Sequence, residues 1–263
     1  MERDLGAGGG DYGRDIGRDM GDGPPESIRD APPQILAPID QHSPVSGHHP
    51  PQGHPPTSPS MTPEHDFRAA SALIVPALRP VGTQGMPITE AEVHGAEPSS
   101  KAHTQPLLDE GPCGIPVVYT MAADGFDIVV NGDHLLSWGV GPEDVQDAAI
   151  ANLASWSARA PWTDEVSGDR RLLSSDTGEG NDAARVLLPD VREHLARELG
   201  AAGRVLVGLP ERHLLLAGAL RPGDAEFARL FAEFVIEHSG GADEPIDRRV
   251  FELVGGQLVE FAG

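Results

Sequence analysis

The chain is poor in thiols and in long apolar runs, the features that staple a fold or span a bilayer. One cysteine, Cys113, in 263 residues excludes an internal disulfide framework and any zinc site built on several thiolates. Its setting, Gly111-Pro112-Cys113-Gly114, reads as a loop with an incidental thiol. No apolar run approaches the ~20 residues of a membrane helix. Met1-Glu2-Arg3-Asp4 lacks the basic-then-apolar layout of a secretory signal, so the expected location is cytoplasmic, with no membrane partner. Basic side chains are the minority, 19 against 41 acidic, for a formal charge of −22. Nucleic acid and anionic membrane surfaces both need a basic footprint, which argues against either. Solubility is the simplest reading of the acidity, and a basic protein partner is the partner class that fits it.

Catalytic signatures are missing as well. Gly-x-Gly occurrences such as Gly178-Glu179-Gly180 lack the Lys-Ser/Thr or the strand-to-helix setting of a phosphate loop. No Gly-x-Ser-x-Gly elbow and no His-Glu-x-x-His helix occurs, and His194 has no second His one turn away. No cofactor and no metal site is expected.

What is present is unevenly placed. Residues 1–61 hold 21 of the 57 Gly and Pro but one of the 12 aromatics, Tyr12. A segment of that composition buries too little apolar surface to offset its ordering entropy, so 1–61 is expected to be a disordered Gly/Pro/His-rich extension. Clusters such as Gly47-His48-His49-Pro50-Pro51 offer imidazoles without fixed geometry. Residues 62–263 are expected to form a single domain, long enough for one good core.

Within 62–263, apolar blocks alternate with turn signals. Ala72–Leu78, interrupted by Pro76, reads as an edge strand or an extended segment lying on the core. Pro116–Met121 and Gly125–Val130 read as a hairpin turning at Ala123-Asp124-Gly125. A helix follows, with Pro142 at its first position and Glu143 and Asp144 in its first turn. Val145, Ala149, Leu153 and Trp156 share one of its faces, with Asn152 beside them. Residues 161–180 read as a loop with a short strand, Arg171–Ser175. A second helix is signalled by a capping-box pattern at Asp190-Val191-Arg192-Glu193 and ends at Gly200. Arg204–Leu209 and His213–Ala217 give another hairpin, then a helix capped by Asp224 with Phe227, Leu230, Phe231, Phe234 and Val235 in one stripe. The last hairpin turns at Gly255-Gly256. Hairpin followed by helix therefore occurs at 116–158 and again at 204–238. That grammar predicts the α+β class: a two-layer antiparallel sheet built from hairpins, with helices packed mainly on one face. Phe227, Phe231, Phe234, Leu153 and Trp156 are the expected core.

Four residues are candidates for function. Asn152 lies beside an apolar helix face and needs partners for its amide; it either ties the helix to a backbone edge or contacts a ligand. Asp182, Arg212 and His213 form the second group. Across neighbouring elements they could polarise a carbonyl or phosphate and move a proton, they could bind an anion or a peptide, or Arg and Asp could simply fix a loop.

The order of blocks resembles a known family. Ile74-Val75-Pro76-Ala77-Leu78-Arg79, Val118-Tyr119 with Asp124, Ala151-Asn152-Leu153, Asn181-Asp182-Ala183-Ala184-Arg185 and Val207-Gly208-Leu209-Pro210-Glu211-Arg212-His213-Leu214-Leu215 resemble the bacterial family catalogued as domain of unknown function 1444, the YtpQ-like proteins. The likeness spans about residues 70 to 263. It departs at Asn181, where the family usually has an aromatic, and at His213, where the family usually has Asp. The resemblance implies a fold and brings no reaction, cofactor or partner with it. The functional expectation is a non-catalytic binding or regulatory module, the alternative a hydrolase-like or transferase-like enzyme using Asp182, Arg212 and His213.

Overall fold

A computed structural model of the chain describes residues 63–89, 101–123 and 126–263. The expected extension at 1–61 lies outside them.

Extended, β-branched segments at the start of this region pair into a first sheet. β1 (Ile74–Leu78) runs antiparallel to β4 (Pro116–Ala123), with Ile74 opposite Met121 and Leu78 opposite Val117. Among the described residues β1 has no second neighbour, so Pro76, which cannot donate to a ladder, sits on an edge as its chemistry requires. The other side of β4 is shared between β3 (Leu107–Glu110) and β5 (Phe126–Val129), and β2 (Met86–Pro87) continues beyond β3. A short helix, α1 (Phe67–Ala70), precedes β1, and its Phe67 ring packs on Trp138 at 5.6 Å. Trp138 ends α2 (Gly132–Trp138), a helix the apolar periodicity does not announce. α2 is set by a reciprocal cap: the Asn131 side chain accepts from the His134 N–H, and His134 Nδ1 accepts from the Asn131 N–H, both at 3.1 Å.

α3 (Pro142–Ser157) starts where Pro142 predicts. Asp144 accepts from the Gly141 N–H at 3.0 Å, and Val145, Ala149 and Leu153 are completely buried. After it, the expected loop at 161–170 is a strand: β6 (Thr163–Ser167) pairs with β7 (Arg170–Ser175). Every residue of β6 is exposed, so it carries no apolar alternation to read. α4 is Pro189–Leu199, capped at Leu188 with no side-chain bond. The capping box expected at Asp190 is absent, because Pro189 takes the first helical position and moves Asp190 inside the first turn.

The second sheet has six antiparallel strands, in the order β11-β10-β8-β9-β7-β6, from β8 (Arg204–Glu211), β9 (Leu214–Leu220), β10 (Val250–Val254) and β11 (Gln257–Glu260). Gly255 and Gly256 close the last hairpin with φ of 57° and 78°, the left-handed pair a two-residue turn requires. Alternation along β8 and β9 divides the side chains. Val205, Val207, Leu209, Leu215 and Ala217 join α4 and the first sheet in the main core. Leu206, Leu216 and Leu220 face α5 (Ala225–Gly241) with Phe227, Phe231 and Val235.

The face toward α5 is shaped by two cross-strand Leu–Gly pairs, Leu206 opposite Gly218 and Gly208 opposite Leu216. A Cβ on Gly218 would meet the Phe227 ring at 2.7 Å, and one on Gly208 would meet Val235 at 2.5 Å. The glycines thus leave two diagonal dents that the helix fills. The chain is α+β with two antiparallel-rich sheets, β2 and β3 forming the one parallel pair among the described residues, and α5 supplies a layer on the outer face of the second sheet.

Of the expected core, Leu153, Phe227 and Phe231 are buried. Phe234 is 38% exposed and stacks on His238 at 3.7 Å. The stripe on α5 is wider than its contact with the sheet, and Phe234 falls past the edge. Trp156 is half-buried, its indole N–H donating to Glu179 at 2.6 Å. No helix among the described residues is long and apolar enough to cross a membrane.

Candidate functional site

Asn152 stands on α3 where it meets the chain entering β1. Its amide donates to the Ser71 carbonyl at 2.7 Å and to the Ile74 carbonyl at 2.8 Å. Both amide hydrogens are spent on these backbone carbonyls, so the residue ties helix to strand.

Asp182 follows the 176–180 turn and is completely buried. Its carboxylate accepts from the Ser175 hydroxyl at 2.6 Å, the Thr177 N–H at 3.1 Å and the Thr177 hydroxyl at 2.8 Å. Ser175 in turn accepts from Arg185 at 2.7 Å. Arg185, 1% exposed, also donates to the Ser157 hydroxyl and the Pro161 carbonyl and lies over the Trp162 ring at 4.0 Å. Burial pushes the guanidinium down to about 10, against the opposing pull of Asp182; it stays charged at neutral pH. The result is a closed relay from carboxylate through hydroxyl to guanidinium, joining α3, β7 and the 183–187 turn. Nothing in it faces a ligand.

Arg212 and His213 form the turn between β8 and β9, as the sequence predicts. The Arg212 carbonyl accepts from the Ala183 N–H at 3.2 Å, so Arg212 and Asp182 are neighbours through the backbone while their side chains part. The Arg212 fork reaches the Gly180 carbonyl at 2.9 Å, Glu244 at 3.3 Å and the Asp127 carboxylate. Gly180 has φ of 81°, and a Cβ there would lie 3.0 Å from Arg212 Nε, so only glycine allows both the turn and the close approach. Arg79 adds a second guanidinium 3.4 Å from Glu244. His213 Nε2 is 3.6 Å from Glu244, while its Nδ1 is buried without a hydrogen-bond partner among the described residues.

These groups open onto two adjoining clefts. One, of about 470 Å3, lies between the sheets and is lined by Arg79, Phe126, Asp127, Arg212, His213 and Glu244. The other, of about 530 Å3, is lined by Glu211, His213, Glu237, His238, Asp243 and Glu244 at the end of α5. The first contains both arginines, yet their charge is matched by the carboxylates they bind. The second has four carboxylates and no arginine.

The structure therefore brings Arg212 and His213 to one surface and leaves Asp182 and Asn152 out of it. Sequence reasoning missed Asp127 and Glu244, which receive the Arg212 fork, and Arg185, the true partner of the Asp182 region. Arg185 had a signal, standing three residues after Asp182 in an Asp-Ala-Ala-Arg run. Glu244 had none, since the loop after α5 carries no periodicity. Among the described residues no three His, Cys, Asp or Glu side chains are placed to hold a metal ion. Cys113 donates to the Leu258 carbonyl at 3.2 Å, and burial pushes its thiol up, away from the thiolate a nucleophile needs. Comparison of the chain with family models, curated proteins and solved structures finds no match.

Proposed function

We propose that this chain is a non-catalytic binding module that recognises a positively charged segment of a protein partner at the Glu211–Glu244 surface. The observation that carries the reading is the spent state of the arginines. Arg212 directs its fork at Gly180, Glu244 and Asp127 and Arg79 points at Glu244, leaving no free guanidinium among the described residues of these two clefts to hold an anionic substrate. Beside it, Glu211, Glu237 and Asp243, none of them ion-paired among the described residues, line a cleft together with the Arg-bound Glu244, and the charge of those three attracts a cation. Complementary charge of this kind steers association and selects partners more than it adds affinity. An enzyme built on Asp182, Arg212 and His213 would need all three on one cleft, and the burial of Asp182 against Ser175 and Thr177 counts against it. The acidity and the single inert thiol fit a cytoplasmic protein with no nucleic-acid partner, which we include in the proposal.

Membership of the YtpQ-like family belongs to the same proposal. Its support is that the residues carrying the resemblance, Asn152, Asp182, Arg185 and Arg212, are the ones that tie the fold together. A shared motif of that kind transmits a fold without a reaction.

The test is fluorescence anisotropy of labelled oligolysine and oligoglutamate against the full chain. Oligolysine should bind and weaken with salt, and Glu237→Lys with Asp243→Lys should lower its affinity at least tenfold. Equal binding to the charge-reversed variant would sink the assignment.

A further inference from the structure

β8 and α5 run from the acidic clefts to a different surface at their other ends, roughly 25 Å away along an eight-residue strand. There the start of α5, the end of β9 and the segment around β10 enclose a cleft of about 720 Å3, within the range of small-molecule sites. Its floor is Leu220, Ala228, Ala232, Val250 and Phe261. The space exists because α5 presents alanine at two positions one turn apart. A longer side chain at either would fill it.

The rim has the opposite sign to the rest of the molecule. Arg204, Arg221, Arg229 and Arg248 line it against a single acidic side chain, Asp224, in a chain of net charge −22. The four are engaged to different degrees. Arg204 is held by Glu252 through two bonds and lies over Phe261 at 4.5 Å, so it forms a wall. Arg221 makes one exposed pair with Asp169, and Arg229 one with Glu233; such pairs contribute about 0–1 kcal/mol and yield to a better partner. Arg248 is exposed and makes no hydrogen bond or ion pair among the described residues. A planar fork without a carboxylate, at the mouth of an apolar cleft, is suited to an acidic head whose tail lies inside.

We propose that this cleft binds a small amphipathic anion, a carboxylate or phosphate head on an apolar tail, with Arg248 receiving the head and Leu220, Val250 and Phe261 the tail. The site is separate from the acidic clefts and independent of the function proposed for them.

The experiment is calorimetric titration of the full chain with octanoate, octyl phosphate, octanol and octyltrimethylammonium, which share a tail and differ in the head. Octanoate or octyl phosphate should bind at least tenfold more tightly than octanol and octyltrimethylammonium, the tighter of the two anions identifying the head. Arg248→Glu, which breaks no contact of the fold, should lower that affinity at least tenfold. Ala232→Leu, which fills the cleft, should do the same, and both variants should keep the parental thermal melt. Glu237→Lys with Asp243→Lys should leave the anion affinity within twofold. Octanol binding as well as octanoate, no binding of either anion at millimolar concentration, or anion affinities unchanged in both cleft variants would overturn the proposal. Oligoglutamate binding more tightly than either octyl anion and lost in Arg248→Glu would replace the small molecule with an acidic peptide.

Discussion

Replacing Arg185 by Met removes a guanidinium that is 1% exposed and leaves Ser175 and Asp182 without their cationic neighbour. Taking one partner from a buried charged pair costs about 3–5 kcal/mol, because the remaining charge keeps its desolvation penalty. Asp182→Asn disturbs the relay from the other end. With its NH2 turned toward Thr177, Oδ1 keeps the bonds from Ser175 and the Thr177 N–H, but they lose their charge, the Thr177 hydroxyl must turn from donor to acceptor, and Arg185 loses its buried counter-charge. That change should cost about 2–4 kcal/mol, the loss of charge-assisted bonds to a buried group. With both changes made, neither charge is left buried without its counterpart, so the double variant should be more stable than the two single losses imply, by more than about 1 kcal/mol. Urea unfolding followed by tryptophan fluorescence suits the measurement, since Trp162 and Trp156 lie 4.0 and 5.9 Å from the guanidinium. Losses under about 1 kcal/mol, or additivity within about 0.5 kcal/mol, would refute the relay. Folded single variants should bind oligolysine like the parent, because neither residue reaches the clefts.

Other outcomes follow from the same contacts. Asn152→Ala should cost about 1–3 kcal/mol, the penalty of two carbonyls that lose the amide donor, read by urea unfolding; a cost near zero would mean water replaces the tie. Phe231→Ala should cost about 3–5 kcal/mol by opening a cavity over the sheet, while Phe234→Ala, at an exposed position, should cost under about 1 kcal/mol. Burial holds the His134 imidazole below its ordinary value of 6.5, outweighing the nearby carboxylates of Glu64 and Asp133. The folded state therefore binds that proton less readily than the unfolded chain. Stability is complete above pH 6.5 and falls as pH drops from there toward the lower folded pKa. Thermal melts at pH 7.5 and 5.5 should show a smaller drop for His134→Gln, and an identical drop would contradict the assignment.

How much of this was legible in the sequence depended on which forces left a local trace. Pro142, Asp224 and Gly255-Gly256 act within a few residues of themselves, and each marks the boundary it predicts. β6 left no trace because an edge strand exposed along its whole length needs no apolar alternation. α2 is too short for a periodic stripe, and its reciprocal cap uses Asn131 with His134 in place of the Ser/Thr and Glu pattern. The candidate residues were correctly marked as polar groups in demanding places. What the sequence could not say was whose demand they meet. Asn152 answers the carbonyls of Ser71 and Ile74, 81 and 78 residues away. Arg212 answers Glu244 and Asp127, on segments far along the chain. Long-range partners of this kind are chosen by the fold, so a polar residue reserved for structure looks locally like one reserved for a ligand.

The proposed recognition takes place at the acidic clefts, with the buried polar groups left untouched. It is tested most directly by titrating unlabelled oligolysine into the 15N-labelled chain and following backbone amide shifts. The largest changes should fall at residues 211–213 and 237–244, with Asn152, Asp182 and Arg185 unmoved and the start of α5 silent. Shifts concentrated at the 720 Å3 cleft, or scattered evenly over the surface, would contradict it.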